Sequence, residues 1–230
     1  MNSPTTHALL DVPALTPEEH QDVALLFLVM ARLLVAGREL GVLTVEQVRS
    51  WGRCLLASTA MVDVFHAIGR TDVALYRAGC IMTMSRAGQF VDMVAIGHPH
   101  APHAPHLWNG HMMVLLRHLL ADPTHGQLKQ PWNWVPDCAV FKKHEGRGPE
   151  FHLYGYGPVE EIASAIRTSG DRVFETRLFR LPREVDLTTR KWRERPDAQP
   201  QRRAALVART LKLLEPDLEA GRLVPGRTAA

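Results

Sequence analysis

Residues 52–69 read GRCLLASTAMVDVFHAIG. Leu55, Met61, Val62, Phe65 and Ile68 recur at helical spacing with small Ser58 on the same face, and Gly69 supplies a stop. The stretch therefore predicts a buried helix, with Gly52 breaking the chain ahead of it and Cys54 in its first turn. So apolar a helix needs layers to lie against, and the flanking sequence says what they are. Upstream, Thr16-Pro17-Glu18-Glu19 combines an N-cap, a first-turn proline and a capping-box glutamate, which predicts a helix to about Gly37 or Gly41. Thr44-Val45-Glu46-Gln47 repeats the capping-box form and leads toward Trp51. Downstream the texture becomes β-like: Val73 to Cys80, Phe90 to Ile96, then MMVLL and LLAD divided by Arg117 and His118 as a hairpin. Further strands are expected at Cys138 to Lys142, Phe151 to Tyr156 and Val173 to Leu181, with a short amphipathic helix at Val159 to Ile166 and a final helix at Arg202 to Leu214. Helices followed by a mostly antiparallel sheet make an α+β fold.

Composition agrees. The chain has 230 residues, 46% hydrophobic and 22% charged with a net charge of +3, enough apolar material for one core, which excludes wholesale disorder and fibres. Residues 1–181 read as one domain, 182–201 as a polar strap and 202–230 as a last helix and tail. Three cysteines (Cys54, Cys80, Cys138) are too few for a disulfide scaffold, so any that matters is a free thiol. The N-terminus shows no basic leader with an apolar stretch, and Leu25 to Ala36 contains Arg32 and falls short of the roughly 20 residues that span a bilayer. A cytoplasmic protein with no membrane partner is expected. The tail is mildly basic, with 14 Lys/Arg against 9 Asp/Glu in residues 171–230. Trp192 among Arg190, Lys191, Arg193 and Arg195 could stack on nucleic acid, but Glu194, Pro196 and Asp197 interrupt the run and favour a solvated strap.

The chemistry is carried by three places in order: Cys54 opening the helix, Gly110-His111 opening a strand, and Asp122-Pro123-Thr124 closing the next. A cysteine at a helix N-terminus gains thiolate character, a neighbouring imidazole takes its proton, and a carboxylate fixes that imidazole's tautomer. The 11 positions from His111 to Asp122 suffice for a strand, a tight turn and a paired strand that return both side chains to one end of a hairpin. Each residue also has a bland reading: Cys54 as core filler, His111 as a satisfied histidine, Asp122 as a strand exit. The three together favour the chemical one. Cys80 and Cys138 sit in apolar runs as inert fillers.

Twelve histidines are unusual, and seven fall between His98 and His125. His98-Pro99-His100-Ala101-Pro102-His103-Ala104-Pro105-His106 has ligands for a transition metal, but alternating Pro and Ala offer no rigid geometry. The favoured reading is an exposed loop walling a cleft, with no metal or other cofactor. Trp108, Asn109 and Trp51 are placed in that cleft, with Gln89 a candidate amide donor beside Gln47. His118 and His125 are read as turn and surface residues.

The segments GRCLLASTAMVDVFHAIG (52–69) and NGHMMVLLRHLLADPT (109–124) resemble the transglutaminase-like superfamily, the circularly rearranged relatives of papain-type cysteine enzymes. The resemblance covers about residues 50–125. It implies a nucleophile helix packed on an antiparallel sheet or partial barrel, with Cys54 as nucleophile, His111 as general base and Asp122 as its orienter. Met112 and Met113 stand where the family often has an aromatic residue. The arylamine acetyltransferases share the Cys-His-Asp order, but their Arg-Gly-Gly-x-Cys segment is absent, as is the acidic calcium-binding cluster of animal transglutaminases. The expectation is a cysteine hydrolase acting on a peptide, amide or ester through a thioester. Amine acyl transfer, a catalytically inactive binding protein of the same fold, and a histidine-loop metal protein are its rivals.

Overall fold

The computed structural model describes residues 7–9, 15–44, 53–100, 109–129 and 136–221. Helix α1 (Pro17–Glu39) starts as its sequence dictates: the Thr16 hydroxyl accepts from the Glu19 N–H at 3.2 Å and the Glu19 carboxylate accepts from the Thr16 N–H at 2.8 Å. Helix α2 (Cys54–Ala67) ends where Gly69 takes a φ of +83°. Its residues are buried on almost every side, from Cys54 and Leu55 through Met61 and Phe65, so it is the central element of the helical layer. Beyond Thr44 itself, the helix start expected at Thr44 to Gln47 and its approach to Trp51 lie outside the described residues.

Among the described residues nine strands follow or flank the helices: β1 (His7–Leu9), β2 (Val73–Arg86), β3 (Gln89–Ile96), β4 (His111–Leu116), β5 (Leu119–Asp122), β6 (Cys138–Lys142), β7 (Glu150–Leu153), β8 (Gly157–Ser169) and β9 (Arg172–Phe179). They form an open sheet in the order β1-β6-β5-β4-β2-β9-β8-β7, antiparallel except for β1 against β6, with β3 also on β2. The fold is α+β with an antiparallel sheet, and the sheet is not a closed barrel. A bond from the His144 N–H to the Ile162 carbonyl, 2.8 Å, links the chain beyond β6 to β8.

Strand β2 organises the rest. Its first half pairs with β4 and its second half with β3, both antiparallel, so β3 and β4 lie end to end along one edge. The chain leaves that edge at Gly97, opposite Gly79, and rejoins it at Asn109. Gly97 has a φ of +79°, and a side chain there would meet Leu181 at 2.7 Å and the Gly79 Cα at 3.1 Å, so the departure depends on glycine.

The segment Val159 to Ile166 is not a helix but part of β8. A register shift between Glu161 and Ala163 inserts one extra residue into the pairing with β9, so Val159, Ile162, Ala163 and Ala165 are buried at a spacing that imitates a helix while the chain stays extended. Strands β2 and β9 are also longer or shifted relative to expectation, because the pairing that defines their ends is between distant segments.

Two cores result. The even positions of β4, with Leu119, Ala121, Cys138 and Val140, face α1 and α2, joined by Leu206 and Leu214 of α4 (Pro200–Glu219). The opposite face, with Met113, Leu120 and Phe141, packs with Met82, Ile162, Ala163, Phe174 and Leu178. Between β9 and α4 the expected strap carries α3 (Arg183–Thr189) and two short 3-10 turns, Arg190–Glu194 and Pro196–Ala198. Helix α4 begins earlier and runs further than the expected Arg202 to Leu214, because Pro200 is tolerated in its first turn.

Candidate active site

His111 is the first residue of β4 and Asp122 the last of β5. The hairpin pairs Val114 with Ala121, and continuing that register sets Asp122 opposite Met113, two residues from His111 and on the same face. The turn is as tight as the spacing requires, with Arg117 at a φ of +54°. The diagonal neighbours meet: His111 Nε2 lies 2.7 Å from Asp122 Oδ2, and both side chains are fully buried. The other carboxylate oxygen, Oδ1, accepts from the Thr124 backbone N–H at 3.0 Å and from the Thr124 hydroxyl at 3.3 Å.

Cys54 comes to the same place from the helical side. It occupies the first turn of α2, 3% exposed, with its Sγ 4.0 Å from the Gly110 carbonyl oxygen. Helix α2 is anchored on β4 by the Ser58 hydroxyl, which donates to the Met112 carbonyl at 2.8 Å. Among the described residues His111 Nδ1 has no hydrogen-bond partner, while Cys54, whose sulfur lies beside the carbonyl of the preceding Gly110, is one of the groups that raise the ring's pKa. With Nε2 committed to Asp122, Nδ1 is the nitrogen available to the thiol.

The electrostatics follow from this burial. Desolvation opposes a charged His111 ring, but the charge and hydrogen bond of Asp122 outweigh it and Cys54 adds to them, so its pKa is raised to about 10. Burial would push the Asp122 carboxyl up; His111 and His125 instead hold it well below the usual carboxylate range. Cys80 makes the contrast. Burial and the charge of Asp122 push its thiol well up, which leaves it protonated and inert. Cys138 is also fully buried in its strand.

Of the expected cleft residues, Asn109 is close but differently employed. Its Oδ1 accepts from the Gly97 N–H at 3.1 Å and its Nδ2 donates to the His98 carbonyl at 3.3 Å, closing the base of the loop just before Gly110 and His111. Gln89 is not in the cleft. It is exposed at the β2–β3 hairpin tip opposite Arg86, eight residues along β2 from Ala78, which pairs with His111, and so roughly 26 Å away. The turn there needs two residues at positive φ, Ala87 and Gly88, and this fixes Gln89 at the tip. Trp51, Trp108 and Gln47 lie outside the described residues.

Several neighbours escaped the sequence reading. His125 is not a surface residue: it is fully buried, with Nδ1 3.2 Å from Asp122 Oδ2. The signal available was the three-residue step from Asp122 through a Pro-Thr turn, which brings side chains i and i+3 together. Ala198 and Trp192 pack over Cys54, Leu55 and Met112, with Leu75 alongside. The Arg53 guanidinium pairs with Asp197 at 3.3 Å and ties this strap to the residue that precedes Cys54. Trp192 therefore turns toward the site, with Arg193 stacked on its ring at 4.4 Å, and a cavity of about 630 Å³ opens beside it between Leu75, His66 and Arg77.

His98 is occupied within its own loop: Nε2 donates to the Tyr154 carbonyl at 2.6 Å and Nδ1 accepts from the His100 N–H at 3.0 Å. Among the described residues no cluster of three or more His, Cys, Asp or Glu side chains could hold a metal ion. Residues 101–108 of the histidine loop lie outside the described residues. Comparison of the chain with family models, with curated proteins and with solved structures finds no match.

Proposed function

We propose that the protein is a cysteine-dependent acyl-transfer enzyme of transglutaminase-like fold, with hydrolysis of a peptide, amide or ester as its reaction. One observation carries the reading: a cysteine in the first turn of a buried helix has its sulfur 4.0 Å from the carbonyl of Gly110, the residue before a histidine whose Nε2 meets a buried carboxylate at 2.7 Å. A plain core has no reason to bury a histidine and an aspartate together at the end of a hairpin, because desolvating both costs several kcal/mol per ion unless their geometry repays it.

In this mechanism the proton that His111 holds in the resting site comes from Cys54, in keeping with the ring's raised pKa, and the freed sulfur attacks the substrate carbonyl. The tetrahedral oxyanion is met by the Cys54 backbone N–H, one of the first-turn donors that have no intrahelical acceptor. On collapse the carbonyl carbon keeps its bond to sulfur, the C–N or C–O bond breaks, and His111 delivers its proton to the leaving group. Water then attacks the thioester with His111 again as base, and the acid departs as the thiol is restored. An amine in place of water gives acyl transfer. Asp122 keeps the ring oriented and stabilises its charged form throughout.

The burial of Cys54 beneath Ala198 and Trp192 favours a second reading, a catalytically inert protein that keeps the fold to bind a partner. Alkylation separates the two. In the enzyme, iodoacetamide at neutral pH modifies Cys54 at least tenfold faster than Cys80 or Cys138, and His111→Ala removes that advantage. Equal, slow labelling of all three thiols, unchanged by His111→Ala, favours the binding protein and refutes the enzyme.

A further inference from the structure

His125 is a fully buried histidine that the mechanism above leaves without a task. It opens a short 3-10 turn (His125–Lys129), directly after the Asp122-Pro123-Thr124 strand exit, and is fully buried. Its Nδ1 lies 3.2 Å from Asp122 Oδ2, the same oxygen that holds His111 Nε2 at 2.7 Å. Among the described residues its buried Nε2 has no hydrogen-bond partner, and its ring stands edge-on to Phe141 with centroids 5.7 Å apart.

An ionised carboxylate only accepts hydrogen bonds, so the His125 nitrogen facing it carries the proton. Nε2 is then a buried lone pair with no partner among the described residues, and a second proton on the ring would bury an unpartnered N–H there instead. Burying an unpaired polar atom is unfavourable, and a leucine would fill the same space without it. The contact with Asp122 is what the imidazole supplies and leucine cannot. Thr124 holds Oδ1 and His125 holds Oδ2, so the carboxylate plane is fixed by groups other than His111 itself.

We propose that His125 is a positioning residue for the Cys54–His111–Asp122 site: as the neutral Nδ1–H tautomer it clamps Asp122 Oδ2 and so sets the direction in which that oxygen meets the His111 ring. The role rests on the acyl-transfer reading. Without His125, Oδ2 is held by His111 alone, and the carboxylate can turn with the imidazole that it is meant to orient.

Two measurements on the full chain test this. The first needs no variant: nitrogen-15 spectra of histidine-labelled protein at neutral pH should show His125 protonated at Nδ1 and bare at Nε2. The opposite tautomer cannot donate to Asp122 and overturns the proposal. The second is the iodoacetamide rate at Cys54, with circular dichroism to establish folding. His125→Leu should lower it about tenfold, the scale of one lost hydrogen bond to a charged group. His125→Asn, whose amide falls near the Nδ1 position, should retain most of the rate, whereas His125→Gln, whose amide falls near Nε2, should behave as His125→Leu does. A fast, His111-dependent rate that is unchanged in His125→Leu refutes the positioning role alone. A wild-type Cys54 no faster than Cys80 and Cys138 refutes the acyl-transfer reading and with it the role of His125.

Discussion

At the scale of single residues the account turns on the His111–Asp122 pair. His111 has its pKa raised from 6.5 to about 10, so its contribution to stability is complete below pH 6.5 and fades as pH rises through about 10. Asp122 has its pKa lowered from 3.8, so its contribution is complete above that value and is lost as pH falls further. The pair therefore stabilises most between about pH 4 and 6.5. Removing one partner of a buried pair costs about 3–5 kcal/mol, and Asp122→Asn should approach that cost at pH 5.5. Urea denaturation of the wild type and the variant at pH 5.5, 7.5 and 9.5 should show the difference shrinking steadily with pH; a constant difference means that His111 is neutral in the folded protein. Cys54, His111 and Asp122 were legible in the sequence because each follows or precedes a break at the end of an element, where its type is informative. His125 was not read so, since the step from Asp122 hints at their proximity but its burial involves Phe141 from a strand 16 residues downstream.

At the scale of elements, the break between β3 and β4 sets where His111 starts. Gly79, opposite the departure at Gly97, leaves no room for a side chain: a Cβ there would lie 2.1 Å from a ring carbon of Phe179. Gly79→Ala should destabilise the protein by about 1–3 kcal/mol, as overpacking does, and the cost should fall when Phe179→Leu is added, a non-additivity that a double-mutant cycle in urea would read. Additive costs mean that the glycine serves some other constraint. The capping box of α1 and the tight β4–β5 hairpin were legible because both are encoded within a few residues. Strand β8 was misread for the opposite reason. Its bulge at Ile162 spaces the apolar residues as a helix would, and only its long-range pairing with β9 keeps it extended.

At the scale of the molecule, the helical layer and the sheet bring Cys54 and His111 together, and the strap from α3 to α4 covers them. The strap is held by Arg53 on Asp197, while Arg203 hydrogen-bonds both the Ala198 carbonyl and Asp63 of α2. Helix α1 is long and apolar enough to cross a membrane by length and composition, yet half of its most apolar stretch is buried here, and its Arg32 pairs with Asp217 of α4 at 2.8 Å. The α+β class was legible from the order of elements, but the packing of the strap was not, because charged residues conceal the inward face of Trp192. Loosening the strap should expose the thiol: Trp192→Ala should speed Cys54 alkylation several-fold relative to the wild type, with no change expected at Cys80. An unchanged rate means that access to Cys54 lies elsewhere. The central claim, that Cys54 carries an acyl group with His111 as its base, is tested most directly by mixing the protein with an activated ester such as p-nitrophenyl acetate and reading nitrophenolate release alongside intact mass. The account predicts a rapid burst with one acetyl group on Cys54, abolished in Cys54→Ser and slowed about a hundredfold or more in His111→Ala. A folded wild-type protein that shows no burst and no acetyl group on Cys54 would contradict it.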